Sequence, residues 1–440
     1  MSQSSQVNEA RVMATAAKFQ NVFSKSELNA IGKEVGHCER ERTITPFALS
    51  LSVVTSLACN EVESLADLQR DFNALIDDAK IGYKAFYNQL AKPGFPEMML
   101  SLTSLVIKEL TFKVLGFREG SPFRRFKRIQ VHDGSSFALK DALAEIFPGR
   151  FSKISPAAVE LHTTMDLLSD TVVRIVLAPD TESEQANLPD ASQIKDCLLL
   201  ADRGYVNLSY MHDIDQNGGS FIIRGKKCLN PWVVDARLED GSRPRRLRNR
   251  SLDDIRKILP KKRAADLEVA WMVEGKPMVL RMIITWNPKE KEYQYLITNL
   301  DCREFSIQDV CLGYHLRWQV ELLFKEWKSY ANLHAFDTGN PEIAEGLIWA
   351  SIVAAAIKRF IAHATQLAFH VATSTRKVAM CAGHALRLLA NALKTGSLAE
   401  IVSALQKGLS YLADNALRAH PKRDRRSGRS QLGLEPILQE

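Results

Sequence analysis

Residues 197–205 read CLLLADRGY, an apolar run that ends in an aspartate and in turn-forming residues. A short, continuously apolar run is typical of a strand covered on both faces. Asp202 then stands where the strand should end, which is where ligands gather in open α/β sheets. The stretch therefore predicts an α/β fold with an acid of structural or functional importance at one edge of its sheet.

Neighbouring segments extend this sheet. Alternating or continuous apolar patterns predict strands in IQVHDGSSFAL (129–139), VELHTTMDL (159–167), TVVRIVLAPD (171–180), GSFIIRG (219–225) and YQYLITNL (293–300). The second and third of these should pair as a hairpin, and a helix is expected near 206–214. Strands that alternate with helices predict a mixed α/β sheet. Asp133 follows the strand-like IQV at the start of the first segment, but Asp-Gly is also a common turn, so its role is open at this point.

The rest of the chain divides around the sheet. Residues 1–118 are predicted to form an all-α N-terminal domain, and residues 119–340 the α/β domain. A β-rich insertion is expected at about 226–290, with a hairpin joined by Gly275-Lys276-Pro277. Residues 341–440 are predicted to be helical and to end in a basic tail. With 440 residues, the chain is long enough for two to four domains.

Composition and charge restrict the class of protein. The chain is 46% hydrophobic and 25% charged, with a net charge of +7, which is typical of a folded soluble protein. Basic clusters at 118–128, 243–263 and 418–429 favour a polyanionic partner, although each alone is ordinarily a wet surface. The seven cysteines include no C-x-x-C pair, so a reducing compartment is expected. We found no secretory signal, and the apolar stretch LIWASIVAAA is too short to span a membrane, so a cytoplasmic protein without a membrane partner is predicted.

A quartet of residues follows the sheet region. If residues 306–330 form one long helix, Tyr314, Arg317, Glu321 and Lys328 project within a sector of about 60°. A solvated charged face is the ordinary explanation for such a pattern. The neighbours are mostly apolar, however, so the helix is predicted to pack, and buried charges need partners. An acid beside two cations and a phenol suits a metal and phosphate oxygens, which is the chemistry of phosphodiester cleavage.

Together these motifs resemble a known family. HDGSSF around Asp133, LADRGY around Asp202 and Y-x2-R-x3-E-x6-K at 314–328 are similar to the bacterial insertion-sequence DDE transposases, specifically the insertion sequence four family with its Y-R-E-K signature. The likeness includes every signature position and covers residues 129 to about 330. It implies a ribonuclease-H-like catalytic core with a β-rich insertion, a DNA-binding N-terminal domain, and cut-and-paste transposition.

The resemblance also implies a catalytic triad of Asp133, Asp202 and Glu321. Three carboxylates can hold two Mg²⁺ or Mn²⁺ ions, one activating the attacking water or 3′-hydroxyl and the other stabilising the leaving oxygen. The expected partners are double-stranded DNA, as terminal inverted repeats and target, and a second copy of the chain in a synaptic homodimer. A catalytically inactive regulator derived from such an enzyme and a metal nuclease without strand transfer are the alternatives.

Basic residues near these acids are candidates for phosphate contacts. Arg317 suits a bidentate contact, Lys328 a second phosphate, and Tyr314 can donate a hydrogen bond. Arg203 is equally well explained as a phosphate contact or as a structural ion pair.

Two tryptophans in the insertion are DNA-binding candidates. Family members often cut the second strand through a hairpin with a flipped base, and Trp271 and Trp286 are candidates to stack on it, although core packing is the better explanation for each. His132 and His162 are interpreted as core or edge residues, because Mg²⁺ prefers oxygen ligands.

Overall fold

A computed structural model describes residues 7–40, 42–59, 62–76, 80–333, 336–419 and 428–437. Its N-terminal part is helical, as predicted: α1 (Glu9–Val22), α2 (Lys25–Glu34), α3 (Pro46–Cys59), α4 (Leu65–Leu75), α5 (Tyr83–Leu90) and α6 (Gly94–Glu109). Several helices begin at polar caps, because the side chains of Asn8, Ser24 and Ser64 accept hydrogen bonds from free backbone N–H groups. A short strand, β1 (Leu115–Phe117), leads into the sheet.

The sheet carries the strands that the sequence predicted. It contains β2 (Arg128–Ala138), β3 (Ala158–Asp166), β4 (Thr171–Pro179), β5 (Cys197–Ala201), β6 (Ser220–Arg224) and β11 (Glu292–Thr298), with helix α7 (Leu208–Gln216) between β5 and β6. The order β4-β3-β2-β5-β6-β11 is mixed: β2, β5 and β6 are parallel, and the other pairings are antiparallel. The predicted hairpin of β3 and β4 is confirmed.

Strand β5 is buried along its whole length, as its apolar run predicted. Leu198 and Leu200 belong to one hydrophobic cluster, shared with the N-terminal and C-terminal helices. Leu199 and Ala201 belong to a second cluster, which includes α7 and the region after β6. Because successive side chains of a strand point to opposite faces, β5 joins the two cores and holds Asp202 firmly in place.

The β-rich segment after β6 continues the same sheet. It comprises β7 (Trp232–Leu238), β8 (Arg250–Ser251), helix α8 (Leu252–Arg256), β9 (Ala265–Val273) and β10 (Lys276–Asn287), and β10 pairs with β11. The predicted hairpin of β9 and β10 is confirmed, but its turn is formed by Glu274 and Gly275, both with left-handed backbone, and Lys276 and Pro277, which were predicted to join the strands, begin β10. In the described part of the chain the sheet therefore has ten strands.

One expectation about the signature helix is wrong. Residues 306–330 form two helices, α9 (Ile307–His315) and α10 (Trp318–Tyr330). Between them, Leu316, Arg317 and Val320 donate backbone hydrogen bonds to residues three positions earlier, which tightens the chain into a 3₁₀ turn. The four signature residues therefore lie on two helices and the turn between them.

The C-terminal region is helical: α11 (Pro341–Phe369), α12 (Thr375–Cys381), α13 (Gly383–Thr395) and α14 (Leu398–Asn415). Helix α11 packs against α3 and α6, so the N-terminal helices and C-terminal helices share one core. By length and composition α11 is apolar enough to cross a membrane, but 94% of its most apolar window is buried inside the fold.

The described end of the predicted basic tail folds back onto the rest of the protein. Helix α15 (Gly428–Gln431) and strand β12 (Leu434–Pro436) fold back, and β12 pairs with β1. Arg429 donates to the Asp170 carboxylate at 2.8 Å and is itself well covered. It therefore stabilises the fold and is not available to DNA; residues 420–427 of this predicted cluster lie outside the described part of the chain.

Candidate active site

Asp133 and Asp202 are neighbours at one edge of the sheet. β2 and β5 run parallel with His132 opposite Ala201, and the two aspartates come next in each chain segment. Asp202 follows the last residue of β5, as predicted. Asp133 lies inside β2, which continues to Ala138 through its pairing with β3. The parallel pairing of β2 with β5 ends at His132, one residue before Asp133. The Asp133 carboxylate therefore still lies at the same edge of the sheet as Asp202.

Arg317 connects Asp133 to Glu321. One guanidinium nitrogen lies 2.6 Å from the Asp133 carboxylate, and another donates to Glu321 one helical turn further along. The 3₁₀ turn before α10 places Arg317 at this position, and α10 itself packs against β2. The side chain of Arg317 is only 14% exposed, so a cation with two carboxylate partners holds the acids together.

Asp202 is held by groups from two other elements. The Tyr314 hydroxyl, at the end of α9, donates to its carboxylate at 3.1 Å. Arg224 ends β6 and has a guanidinium nitrogen 4.0 Å from the same carboxylate. Arg224 was not predicted from the sequence, although it lies at the end of the strand next to β5, the same kind of position as that of Asp202.

The pKa values reflect a crowded acidic cluster. Burial raises the pKa of Asp133 to about 6; Arg317 opposes the shift, and the charges of Asp202 and Glu321 add to it. Burial works against the charge of Arg317, yet Asp133 and Glu321 hold its pKa above the usual value. Burial and the nearby Asp202 raise the pKa of Tyr314. The three carboxylates therefore lie close enough to repel one another, and additional positive charge would stabilise their ionised forms.

As the side chains stand, the described residues include no group of three His, Cys, Asp or Glu residues arranged to hold a metal. The guanidinium of Arg317 is inserted between Asp133 and Glu321, which explains why their carboxylates do not form such a group. The structure thus brings Asp133, Asp202 and Glu321 into one cluster. Their convergence on shared ions stays a prediction.

The remaining basic candidates differ in their surroundings. The Lys328 ammonium donates to the carbonyl of Ser136 at 2.7 Å, which places the end of the signature beside β2. Burial lowers the pKa of Lys328. Arg203 is exposed and forms no ion pair with any residue in the described ranges. The structural ion pair that was one explanation of Arg203 is therefore not observed.

The two insertion tryptophans are partly buried. Trp271 packs against the core of the insertion. Trp286 meets Tyr293 edge-on, with ring centroids 4.9 Å apart, and the Lys261 ammonium lies 4.3 Å from the centre of its ring. Trp286 also lines an open cavity of about 480 Å³ with three consecutive basic residues, Lys261, Lys262 and Arg263.

A polar network behind Asp133 was missed from the sequence. Glu160 on β3 is buried, and its carboxylate lies 3.4 Å from Arg150. Burial, together with the charge of Glu184, raises the pKa of Glu160 to about 7. A side chain at Gly134 would collide with Glu160, which explains the need for glycine after Asp133. His132 and His162 are fully buried beside this network, as expected of core histidines.

A family model for the transposase DDE domain matches residues 124–357, which is more than half of the chain. The matched segment contains both aspartates and the whole signature quartet. The chain therefore belongs to the transposase DDE domain family. DNA transposition is the activity of this family, which uses divalent metal ions and acts on DNA.

Curated relatives are transposases of bacterial insertion sequences. The transposase for insertion sequence element IS1151 of Clostridium perfringens is 24% identical over 350 residues, which cover 70% of this chain and 72% of that protein. The transposase for IS231C of Bacillus thuringiensis is 22% identical, over 52% of this chain and 55% of its own length. A putative transposase InsL of Escherichia coli is 43% identical over 60 residues, 14% of this chain and 16% of its own. The chain is thus a transposase of the bacterial insertion-sequence type.

Proposed function

We propose that this transposase binds the terminal inverted repeats of its element, cleaves the phosphodiester bonds there, and joins the 3′ ends to target DNA. The observation that carries the proposal is the linkage of both strand-end aspartates to the signature residues: Arg317 binds Asp133, and Tyr314 binds Asp202. These contacts bring together, at one edge of the sheet, the two aspartates and the signature residues that lie more than a hundred residues away in sequence. We also propose that the chain belongs to the insertion sequence four family.

The catalytic core is proposed to be ribonuclease-H-like. Support comes from the strand order β4-β3-β2-β5-β6, with a three-stranded antiparallel part followed by parallel strands. We assign residues 119–340 to this core, about 226–290 to its insertion, and 1–118 to a DNA-binding N-terminal region. The shared core of the N-terminal and C-terminal helices suggests that these regions move with the catalytic core as one body.

Asp133, Asp202 and Glu321 are the proposed metal ligands, because carboxylate oxygens suit Mg²⁺ or Mn²⁺ and the cluster has excess negative charge. Two bound ions would supply Lewis-acid activation of the attacking oxygen and stabilisation of the leaving oxygen. Arg317 has to release at least one carboxylate to make these oxygens available. Its guanidinium is then free to bind a DNA phosphate bidentately, which suits the role expected from the sequence.

The other contacts follow from position. Lys328 is proposed to contact a phosphate from its place beside β2, Tyr314 to orient Asp202 by its hydrogen bond, and exposed Arg203 to reach a further phosphate. Trp286 is a better candidate than Trp271 to stack on a flipped base, because it lines an open cavity beside lysines. A homodimer in the synaptic complex and a cytoplasmic location complete the proposal.

Asp202→Asn is the direct test. With Mg²⁺ or Mn²⁺ present, we expect the wild type to cleave a duplex bearing the terminal DNA and to join it to a plasmid. The variant should bind the same duplex with similar affinity and lose both reactions, since phosphate contacts come mainly from Arg and Lys. Cleavage without joining by the wild type would favour a nuclease. Equal loss of binding and cleavage in the variant would mean that Asp202 is structural.

A further inference from the structure

A second basic cavity lies at the C-terminal end of α10. It has a volume of about 590 Å³ and opens between α3, α10, α11, α12 and the start of α13. The basic residues that line it are Lys328, Lys358, His384 and Arg387. None of the described residues that line the cavity is acidic. The charge of this cavity is therefore complementary to an anion.

Lys358 makes this cavity more than a wet basic surface. Its residue is only 5% exposed, and its ammonium donates to the backbone carbonyl of Tyr330 at 2.5 Å. No ion pair to Lys358 occurs within the described ranges, so two of its three N–H donors have no protein partner that the structure describes. The charge of the nearby Glu326 offsets part of the cost of burying this ammonium, but Glu326 forms its ion pair with Arg359, and an anion in the cavity would satisfy the remaining donors of Lys358. Burial accordingly lowers the pKa of Lys358 to about 8.

The position of the cavity identifies the anion. Lys328 lines it and also reaches β2, the strand that carries Asp133. Glu321 and Lys328 are separated by seven residues of α10, or about 10 Å along the helix axis. That distance corresponds to about three nucleotides of duplex rise. A strand cleaved at the acidic cluster can thus continue past Lys328 to the mouth of the cavity.

We propose that this cavity binds a backbone phosphate of the DNA, about three nucleotides from the cleaved bond, and that Lys358 is its principal buried contact. The inference rests on the proposed function, because it takes the acidic cluster as the place of cleavage. It adds a positioning contact that lies outside the signature. DNA bound at both places would be fixed in register relative to the catalytic acids.

Lys358→Met tests the contact by removing the charge while keeping a side chain suited to a buried site. We expect the variant to bind a fluorescent duplex of the terminal DNA with a salt dependence weaker by about 0.9 in log–log slope, as for one lost phosphate contact. Lys407→Met, an exposed lysine on α14, should leave the slope unchanged. An unaltered slope in Lys358→Met would overturn the proposal.

A second measurement does not depend on any lysine variant. Cys381 lines the same cavity, whereas Cys302 lines a different cavity beside Arg281. Binding of the duplex should slow alkylation of Cys381 several-fold and affect Cys302 much less. Unchanged labelling of Cys381 at saturating duplex would overturn the proposal even if Lys358→Met failed to fold.

Neutral substitutions in the DNA locate the phosphate. A series of duplexes, each with one methylphosphonate, should include a position about three nucleotides from the cleaved bond at which wild-type affinity falls and Lys358→Met affinity does not.

Inorganic phosphate at constant ionic strength tests whether the anion is free phosphate instead of DNA. Thermal stabilisation of the wild type by phosphate, with identical duplex binding by both proteins, would mean a free-anion site and overturn the assignment to DNA. Failure of the wild type to bind any duplex would instead count against the proposed function itself.

Discussion

Two clusters of arginines and carboxylates in this protein have the same chemistry and opposite settings. At the sheet edge, Arg317 joins Asp133 and Glu321 with side chains that are 14–35% exposed. At the turn after β3, the Asp170 carboxylate binds Arg359 and Arg429, and all three side chains are 8–14% exposed. If the open cluster is the proposed active site, its exposure lets it exchange its partners for substrate, whereas the closed cluster is too well covered to do so. The two clusters therefore differ in exposure and not in residue type, and the proposed function belongs to the more exposed one.

The closed cluster explains how the end of the chain is attached. Arg359 lies in α11 and also approaches Glu326 of the signature helix at 3.4 Å. His363 adds its ring nitrogen 3.3 Å from Asp170. Although burial alone would raise the pKa of Asp170, Arg359 and Arg429 hold it well below the usual value. The carboxylate is thus ionised, and it joins the sheet, α11 and the terminal segment.

The largest expected effect is on catalysis at the open cluster. Glu321→Gln should reduce cleavage of the terminal duplex by about 10⁴-fold or more, on the scale of removing an essential catalytic group. The unfolding free energy of the variant should change by less than about 1 kcal/mol, because the ion pair between Glu321 and Arg317 that the substitution removes is partly exposed. Cleavage assays and urea unfolding on the same preparation measure both. Substantial residual cleavage would remove Glu321 from the proposed triad.

The closed cluster should show the reverse pattern. Asp170→Asn leaves Arg359 and Arg429 buried without a carboxylate, which should cost about 3–5 kcal/mol of unfolding free energy. Asparagine tolerates the left-handed backbone at this position (φ 53°), so the loss reports the charge and not the turn. Asp240→Asn, in the exposed pair with Arg263, is the control and should cost less than about 1 kcal/mol. Comparable losses in both variants, by urea unfolding, would contradict the distinction between the clusters.

How far each cluster was predictable from the sequence depends on the range of its signals. Apolar runs located the strands, and the end of β5 then located Asp202, whereas Asp133 was placed after a strand but lies inside β2. The closed cluster has no such signal, because Arg359 and Arg429 are 189 and 259 residues from Asp170 in sequence. Periodicity also failed at Arg317, where a local 3₁₀ turn interrupts the helix; Gly313, whose carbonyl accepts the hydrogen bond from Leu316, is the one local signal of the break. Partners that meet only through tertiary packing leave no local pattern.

Glu160 is an intermediate case, buried beside the open cluster. Its pKa is about 7 in the fold against an ordinary value of 4.5, so between these pH values the unfolded chain ionises while the folded protein keeps the proton. Stability is therefore lost as pH rises through this window. Glu160→Gln should raise the unfolding free energy by about 1–3 kcal/mol above pH 7 and change it little below pH 4.5. Exposed Glu182→Gln is the control in thermal unfolding at both pH values. A gain that does not depend on pH would exclude this ionisation as its cause.

The smallest expected effect concerns Arg203, which is exposed next to Asp202 and forms no ion pair with the residues that the structure describes. Arg203→Ala should change the unfolding free energy by less than about 0.5 kcal/mol, because the side chain contributes little packing. If the open cluster faces DNA, the same change should weaken the salt dependence of duplex binding by about 0.9 in slope and leave the metal-ligand acids untouched. Arg303→Ala, an exposed arginine paired with Asp301, is the matched control, with no change in slope expected. Wild-type binding and cleavage by Arg203→Ala would remove Arg203 from the proposed DNA contacts, so that exposure beside the acids would not be sufficient for a role in binding.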